Sequence, residues 1–272
     1  MFAMSINATI SNQTISNPTT SSRIVILGYH EVEPGGVPSH ETIPRQLAAA
    51  DTADERQRFT ISPETFREQM DALAAHGYVV IALADLSDYL QGKRTLPDKS
   101  AVITVDDGWQ SLCSVIQPEL LRRRYPFTAF IYPRVIDRHS HHPNNITWDD
   151  VSGLAEAGVD IESHTYAHPF LSRIRHSEMN DAEYASFLNS EIAESKRLIS
   201  EHTGRDVRFL AYPYGDYDDS VVSSVKAAGY DAAVTVTPGI VTKSSDPLTL
   251  PRFLILHDTS MKEFESWLEP EK

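Results

Sequence analysis

Residues 101–109 read Ala-Val-Ile-Thr-Val-Asp-Asp-Gly-Trp, a short apolar run that ends in two adjacent carboxylates, Asp106 and Asp107. Similar apolar runs recur along the chain and alternate with amphipathic stretches, which is typical of a parallel sheet with helical crossovers. Parallel α/β folds place their active sites at the carboxyl ends of the strands. An ordinary turn, in which aspartate side chains bind backbone N–H groups, explains the pair equally well while it is considered alone.

The strand and helix pattern begins at Arg23. It predicts an α/β fold, a distorted (β/α)7-type barrel that forms a single domain over residues 23–272. Residues 31–58 show no clear period and predict a long loop. The predicted strands are 24–27, 78–82, 101–105, 128–131, 160–162, 209–211 and 232–236. The predicted helices are 63–75 with an N-cap at Ser62, 114–124, 148–157, 182–202, 220–228 and 261–268.

Composition narrows the functional class. The formal net charge of -14 argues against a nucleic-acid-binding surface, because phosphate contacts require clustered Lys and Arg. No stretch approaches the roughly 20 apolar residues of a membrane span. Residues 1–22 are rich in Ser, Thr and Asn and predict a disordered polar leader without the features of a secretory signal. The single cysteine, Cys113, excludes a zinc site built on thiolates.

Two histidines follow the predicted strand at 160–162, where residues 163–168 read Ser-His-Thr-Tyr-Ala-His. Side chains four residues apart point the same way on a helical turn, so His164 and His168 can share a metal ion. An isolated pair at this spacing is more often a coincidence. Combined with a strand-end aspartate it predicts a metal site, because two histidines and one carboxylate are a common catalytic zinc set with one position open for water.

Two other strand ends carry residues suited to catalysis. Residues 209–215 read Phe-Leu-Ala-Tyr-Pro-Tyr-Gly, and this turn can form a rigid aromatic wall and present a backbone N–H to an oxyanion. Residues 24–31 read Ile-Val-Ile-Leu-Gly-Tyr-His-Glu, a strand that ends at His30. Taken singly, the first segment is also explained by a tight turn and His30 by packing or solvation.

Together these segments resemble the polysaccharide deacetylases of the carbohydrate esterase group, which are built on the NodB-homology fold. Residues 104–108, Thr-Val-Asp-Asp-Gly, look like that family's T-F-D-D-G motif with Val105 in place of the usual Phe. Residues 163–169 look like its H-[ST]-x-x-H motif, and residues 212–215 look like its P-Y-G segment. The resemblance covers nearly all of the chain after residue 22.

The order of the segments resembles the circularly permuted branch of the family, similar to deacetylases of exported poly-N-acetylglucosamine. In the commoner order a strand ending in L-x-H-D, a helix and a closing strand come last. Here a strand ending at His30 and the helix at 63–75 precede Asp106, which implies that His30 is the proton donor. The stretch Ile-Leu-His-Asp makes His257 a competitor, although too few residues follow it for a helix and a strand.

The resemblance also implies roles for the other site residues. Asp107, His164 and His168 would hold one divalent metal, zinc first, with cobalt, nickel or manganese as alternatives. Asp106 would be the catalytic base. The predicted substrate groove consists of Trp109, Tyr166, Tyr212, Pro213 and Tyr214.

Three further residues take their roles from the same resemblance. The Tyr214 backbone N–H would stabilise the oxyanion, and His30 would protonate the departing amine, a step suited to a pKa near neutrality. The family's third motif usually begins with an arginine that pairs with the catalytic aspartate, but Ala211 stands in that place. Arg252 is the candidate that supplies this charge from another strand.

The resemblance thus predicts a metal-dependent hydrolase that removes N-acetyl groups from an N-acetylglucosamine-containing polysaccharide. Its partner would be an N-acetylated polysaccharide or oligosaccharide, and its location secreted, periplasmic or at the cell surface. The alternatives are a hydrolase of small C–N substrates on the same fold and a carbohydrate-binding protein without catalysis. The histidines 139, 141 and 142 raise the question of a second metal site, although their polar loop favours a solvated surface.

Overall fold

A computed structural model describes residues 22–34, 53–137 and 144–269. Nearly all of the predicted leader, the middle of the predicted loop, and His139, His141 and His142 lie outside the described residues. The strands are β1 (Arg23–Tyr29), β2 (Glu31–Val32), β3 (Thr60–Ile61), β4 (Val79–Val80), β5 (Lys99–Asp106), β6 (Thr128–Ile131), β7 (Asp160–Ser163), β8 (Phe209–Ala211), β9 (Ala232–Val234) and β10 (Phe253–Leu254). The α-helices are α1 (Ala53–Phe59), α2 (Pro63–Ala75), α3 (Leu83–Leu90), α4 (Gln117–Arg123), α5 (Pro133–Asp137), α6 (Trp148–Glu156), α7 (Asp181–Thr203), α8 (Asp219–Ala227) and α9 (Met261–Leu268).

Eight parallel strands form one curled sheet in the order β10-β1-β5-β6-β7-β8-β9, with β4 paired to the first half of β5. The segment before β10 joins the two edges of this sheet. The Leu250 N–H donates to the Ala233 carbonyl at 2.9 Å, and the Thr235 N–H donates to the Leu250 carbonyl at 2.9 Å. The sheet therefore closes into a barrel with one irregular side, which agrees with the predicted fold class.

Apart from β4, the strands of the barrel are largely buried on both faces, and the two faces of β1 belong to two different apolar clusters. Val25 and Leu27 of β1 pack in the larger cluster with the surrounding helices, whereas Ile24 and Ile26 pack in the smaller cluster inside the barrel. Successive residues of a strand face opposite sides. Even-numbered residues of β1 and β5 therefore face the barrel interior. Asp106 is the last of these residues on β5, and His30 follows directly after the end of β1.

The helices agree with the prediction where capping signals mark their ends. Ser62 caps α2 by accepting a hydrogen bond from the Thr65 N–H at 3.0 Å, and Asn180 begins α7 with a reciprocal capping box. The predicted helix 114–124 is instead a π-helical turn, Leu112–Ile116, followed by α4. The short helices α1, α3 and α5 were not predicted. The prediction of a long loop over residues 31–58 is wrong at both ends, because β2 lies at its start and α1 begins before its end.

The lack of a side chain at Gly28 allows the buried side chain of Arg252 to pass across β1. A Cβ atom at this position would lie 2.7 Å from Cδ2 of Leu254 and 3.2 Å from Cδ and Nε of Arg252. We therefore expect Gly28→Ala to lower the free energy of unfolding by about 1–3 kcal/mol, the usual range for overpacking. Urea denaturation monitored by circular dichroism measures this change.

Gly153→Ala is the matched control, because an added Cβ in this position of α6 meets no atom within 4 Å. It should be neutral or should stabilise the protein by up to about 1 kcal/mol through helix propensity. A Gly28→Ala protein as stable as the wild type would contradict the close packing of Arg252 against β1.

Candidate active site

Asp106, the last residue of β5, is paired with Arg252 in the barrel interior. Nη1 of Arg252 lies 2.8 Å from Oδ1 of Asp106, and Nη2 lies 2.8 Å from Oδ2. Both side chains are 1% exposed. Burial alone raises the pKa of Asp106, but the charges of Arg252 and two nearby histidines lower it to about 2. The Asp106 carboxylate is therefore ionised at neutral pH.

Asp107, His164 and His168 converge beside this pair. The Nε2 atoms of the two histidines are 3.1 Å apart, and they lie 3.6 Å and 3.7 Å from Oδ1 of Asp107. Ligand atoms about 2.0–2.1 Å from a tetrahedral ion stand about 3.4 Å from one another. The triangle thus has the dimensions of a metal-binding set. Across the three described stretches of chain, no second group of three acidic or histidine side chains converges in this way.

The two histidines converge through a loop, and not through the helical turn that their spacing predicts. Thr165 and His168 have positive φ values of 65° and 58°. The Thr165 N–H donates to Oγ of Ser163 at 3.2 Å, and the His168 N–H donates to Oγ1 of Thr165 at 3.1 Å. These bonds replace a helical turn because serine and threonine side chains compete for backbone N–H groups.

A second polar group orients each histidine. Nδ1 of His164 lies 2.8 Å from the carbonyl oxygen of Ala211, so Nδ1 donates and the Nε2 lone pair points toward Asp107. Nδ1 of His168 lies 3.1 Å from the hydroxyl of Tyr214, a residue held at φ 56° in the turn after β8. Burial lowers the pKa of both histidines, so both imidazoles are in the neutral form that binds metals.

Helix α7 supports the histidine loop from outside the barrel. Oε2 of Glu191 accepts a hydrogen bond from the Ala167 N–H at 2.8 Å, and the Glu191 carbonyl accepts from the Tyr166 N–H at 2.9 Å. The Ser195 hydroxyl donates to the Thr165 carbonyl at 2.9 Å. Sparsely populated backbone conformations cost about 1–3 kcal/mol each and persist only where surrounding contacts fix them. These three contacts fix the loop.

His30 also lies beside Asp106. Its Nε2 atom is 3.9 Å from Oδ2 of Asp106, and its ring stacks on Phe59 of α1 with centroids 4.4 Å apart. Burial lowers the pKa of His30 to about 4, although the charge of Asp106 opposes the shift. The His30 imidazole is therefore neutral in the resting site, whereas the sequence predicts a proton donor suited to a pKa near neutrality.

His257 is placed differently. Its side chain is exposed, its N–H donates to the carbonyl of Arg58 at 2.8 Å, and it is not among the residues that line the active-site cavity. His30 lines that cavity together with Asp106 and Asp107. Of the two candidate proton donors, only His30 therefore faces the aspartate pair.

The cavity above the site has a volume of about 580 Å³. Trp109, Tyr212 and Tyr214 of the predicted groove line it. Tyr166 and Pro213, which the sequence also predicts as groove residues, are not among the residues that line this cavity. Pro213 is buried in the turn after β8, and the backbone of Tyr166 is bound to α7 on the outer side.

Glu31 and Arg56 form an ion pair on the cavity wall that the sequence did not predict. Nε of Arg56 in α1 donates to Oε2 of Glu31 at 2.7 Å, and both residues line the cavity. They were missed because Arg56 lies in the stretch predicted to be a loop. The acidic residue directly after the strand-end His30 was the available signal.

An ionised aspartate beside a two-histidine, one-carboxylate cluster, at the strand ends of a parallel barrel, defines a barrel hydrolase. The family model for polysaccharide deacetylases matches residues 93–233, more than half of the chain. The chain therefore belongs to the polysaccharide deacetylase family, whose reaction is the hydrolysis of an amide bond. As predicted, the chain is a hydrolase that acts on carbon–nitrogen bonds.

A named relative agrees with this assignment, and solved structures share the fold. The poly-beta-1,6-N-acetyl-D-glucosamine N-deacetylase of Staphylococcus epidermidis is 26% identical over 220 residues, which cover 79% of this chain and 75% of that protein. The Streptococcus pyogenes deacetylase PplD, solved with acetate, has a TM-score of 0.72 at 22% identity and covers 92% of this chain and 100% of its own. IcaB from Ammonifex degensii has a TM-score of 0.72 at 22% identity, with coverages of 92% and 98%. The structural matches confirm the predicted fold.

Replacing Arg252 should change how Asp106 titrates. The pKa of Asp106 in the folded protein, about 2, lies below its ordinary value of 3.8, so its ionisation stabilises the fold above about pH 4. That stabilisation is lost as the pH falls from 4 toward 2. In Arg252→Met, burial dominates and raises the pKa of Asp106. We expect the acid limb of kcat/KM to move to higher pH and the protein to lose about 3–5 kcal/mol of stability at pH 7.

The measurements are a pH–rate profile and urea unfolding at several pH values. Arg197→Met is the control, because Arg197 pairs with Glu194 and Glu201 on the exposed face of α7. It should change neither measurement appreciably. An Arg252→Met enzyme with an unmoved acid limb would contradict the electrostatic role of Arg252.

Proposed function

We propose that this chain is a metal-dependent deacetylase that hydrolyses N-acetyl groups of an amino-sugar polysaccharide containing N-acetylglucosamine. The observation that carries the proposal is the convergence of an ionised Asp106 with Asp107, His164 and His168 in one cavity. Family membership supports the reaction. The name of the Staphylococcus epidermidis relative supports the choice of polymer.

The donor set suits a single divalent ion held by Asp107, His164 and His168. Two neutral imidazole nitrogens and one carboxylate oxygen form a catalytic zinc set, so zinc is the proposed ion, with cobalt, nickel and manganese as alternatives. Oδ2 of Asp107, the oxygen that does not face the histidines, accepts a hydrogen bond from Nε1 of Trp109 at 3.3 Å. When bound, the ion would supply a positive charge that lowers the pKa of water and polarises the acetyl carbonyl.

Asp106 is the proposed base that takes the proton of the attacking water. It is ionised, and its Oδ2 atom lies 3.9 Å from Nε2 of His164 and 3.9 Å from Nε2 of His30. Arg252 binds both of its oxygens, which favours its role as a fixed base over a role as metal ligand. General-base catalysis contributes about 10²–10⁴-fold to a rate.

His30 and Tyr214 serve the departing amine and the oxyanion in this proposal. Because the pKa of His30 is about 4, its imidazole is neutral in the resting site at neutral pH. We propose that it receives the proton that Asp106 takes from water and passes it to the amine, which leaves poorly unless protonated. The Tyr214 backbone N–H is the proposed donor to the oxyanion, a contact worth about 3 kcal/mol in comparable sites.

The cavity wall suits a sugar ring beside the acetyl group. The rings of Trp109 and Tyr214 are partly exposed on it, and Phe170 stacks behind Tyr214 with centroids 4.3 Å apart. Tyr212 is fully buried, and its hydroxyl donates to the Leu248 carbonyl, so it forms the floor of the cavity.

Because the proposed substrate is an exported polymer, we place the enzyme at the cell surface, in the periplasm or outside the cell. None of the described helices is long and apolar enough to cross a membrane.

Acetate release from N-acetylglucosamine oligomers and from peptidoglycan tests the proposed function. We expect release from N-acetylglucosamine polymers, loss of activity after chelation and recovery when zinc is added. Asp107→Ala combined with His164→Ala should abolish binding of the ion because two of three ligands are gone.

Three outcomes would contradict this proposal. Full activity in a preparation shown to be free of metal would exclude the metal. Hydrolysis of ureides or cyclic imides without acetate release would favour the small-substrate alternative. Binding of the oligomers by the metal-loaded protein without any turnover would favour the carbohydrate-binding alternative.

A comparison of His30→Ala with His257→Ala tests the proton carrier. We expect His30→Ala to retain its metal and lose turnover by about 100-fold or more, because the amine then leaves unprotonated. His257→Ala should be nearly silent, since its exposed side chain lies off the cavity wall. Steady-state kinetics and metal analysis of both variants provide the measurement. A fully active His30→Ala enzyme would exclude the role proposed for His30.

A further inference from the structure

The N-terminal segment, residues 22–34 and 53–61, contributes a buried ion pair to the cavity that holds the proposed metal site. Glu31 of β2 and Arg56 of α1 have side chains that are 2% and 3% exposed. Nε of Arg56 donates to Oε2 of Glu31 at 2.7 Å, Nη2 donates to Oε1, and the Thr60 hydroxyl donates to Oε2 at 2.9 Å. Desolvating two charges is costly, so such a pair is weak evidence for stability and needs another explanation.

The guanidinium of Arg56 covers the ring of Trp109. Its Cζ atom lies 4.6 Å from the centre of the indole, which is the distance of a cation–π contact. The Trp109 backbone is held by a bridge to Asn145, so its main chain is fixed on one side and its ring on the other. Glu31 accepts two hydrogen bonds from Arg56. These bonds fix the orientation of the planar guanidinium group that covers the indole.

The indole N–H in turn selects one oxygen of Asp107. Nε1 of Trp109 donates to Oδ2 of Asp107 at 3.3 Å, and Oδ1 is the oxygen that faces Nε2 of His164 and His168. Asp107 has a φ of 76°, a conformation that outside contacts have to maintain. The hydrogen bond on Oδ2 leaves Oδ1 directed at the histidines.

We infer that Glu31, Arg56 and Trp109 form a positioning chain that holds Asp107 as a ligand through one oxygen, and this rests on the proposed metal site. Glu31 also places a negative charge beside Arg56, which reduces the repulsion between Arg56 and a divalent ion. Outer partners of metal ligands commonly change metal affinity by about 10–100-fold. Glu31 and Arg56 precede the matched residues 93–233, so the N-terminal segment contributes to metal binding through them.

The test is the dissociation constant for zinc, measured by competition with a chromophoric chelator, in the wild type and in Trp109→Phe. Phenylalanine keeps a ring beneath Arg56 and lacks the N–H. We expect zinc binding to weaken by about 10–100-fold. The visible absorption of the cobalt-loaded protein should also change, because Asp107 loses its fixed orientation. A variant that is merely less stable would show neither effect in its folded state.

Trp148→Phe is the matched control, because Trp148 stacks on His202 with ring centroids 3.7 Å apart and lies off the active-site cavity. Its zinc dissociation constant should equal that of the wild type. Glu31→Gln is the second variant, and it should weaken zinc binding because it removes one negative charge beside Arg56. If Glu31→Gln fails to fold, the zinc dissociation constant of Trp109→Phe alone tests the positioning chain.

The outcomes separate this inference from the metal site itself. If zinc binds the wild type and does not bind Asp107→Ala, the result supports the proposed metal site. An unchanged zinc dissociation constant in folded Trp109→Phe then overturns the positioning chain alone. If zinc binds equally well to the wild type and to the Asp107→Ala, His164→Ala double variant, the proposed site fails and the positioning chain fails with it.

Discussion

The contact between Arg252 and Asp106 is the interaction on which the rest of the site depends. It joins the end of β5 to the segment that closes the barrel, and it keeps a fully buried carboxylate ionised against the cost of burial. The fold makes room for it at Gly28, where a larger residue would strike the arginine. Arg252 binds both oxygens of Asp106, whereas Oδ1 of the neighbouring Asp107 lies 3.6 Å and 3.7 Å from the Nε2 atoms of His164 and His168.

Backbone strain is concentrated where the chain turns from the barrel into this site. Asp107, Thr165, His168 and Tyr214 all have positive φ values. Each is held by contacts from another element, including hydrogen bonds from α7 to the histidine loop and the hydroxyl bond between Tyr214 and His168. The barrel thus supplies rigid strand ends, and the surrounding layer supplies the contacts that maintain unfavourable loop conformations.

The sequence was sufficient to predict the barrel and the convergence of its strand ends, because apolar runs followed by Asp106, His164 or Tyr212 mark both the strands and the edge that they share. Arg252 could be proposed because Ala211 left a buried carboxylate without its usual partner. The pair of Glu31 and Arg56 could not be predicted, since its members lie 25 positions apart in an aperiodic stretch. The lowered pKa of His30 depends on burial, which the type of residue alone does not encode.

A crystal structure of the zinc-loaded protein, with anomalous data collected at the zinc edge, tests this description most directly. It should show one ion bonded at about 2.0–2.2 Å to Oδ1 of Asp107 and to Nε2 of His164 and His168, with Arg252 still bound to both oxygens of Asp106. An ion bonded to Asp106, or an Asp106 carboxylate released from Arg252, would contradict the assignment of one aspartate as base and the other as ligand.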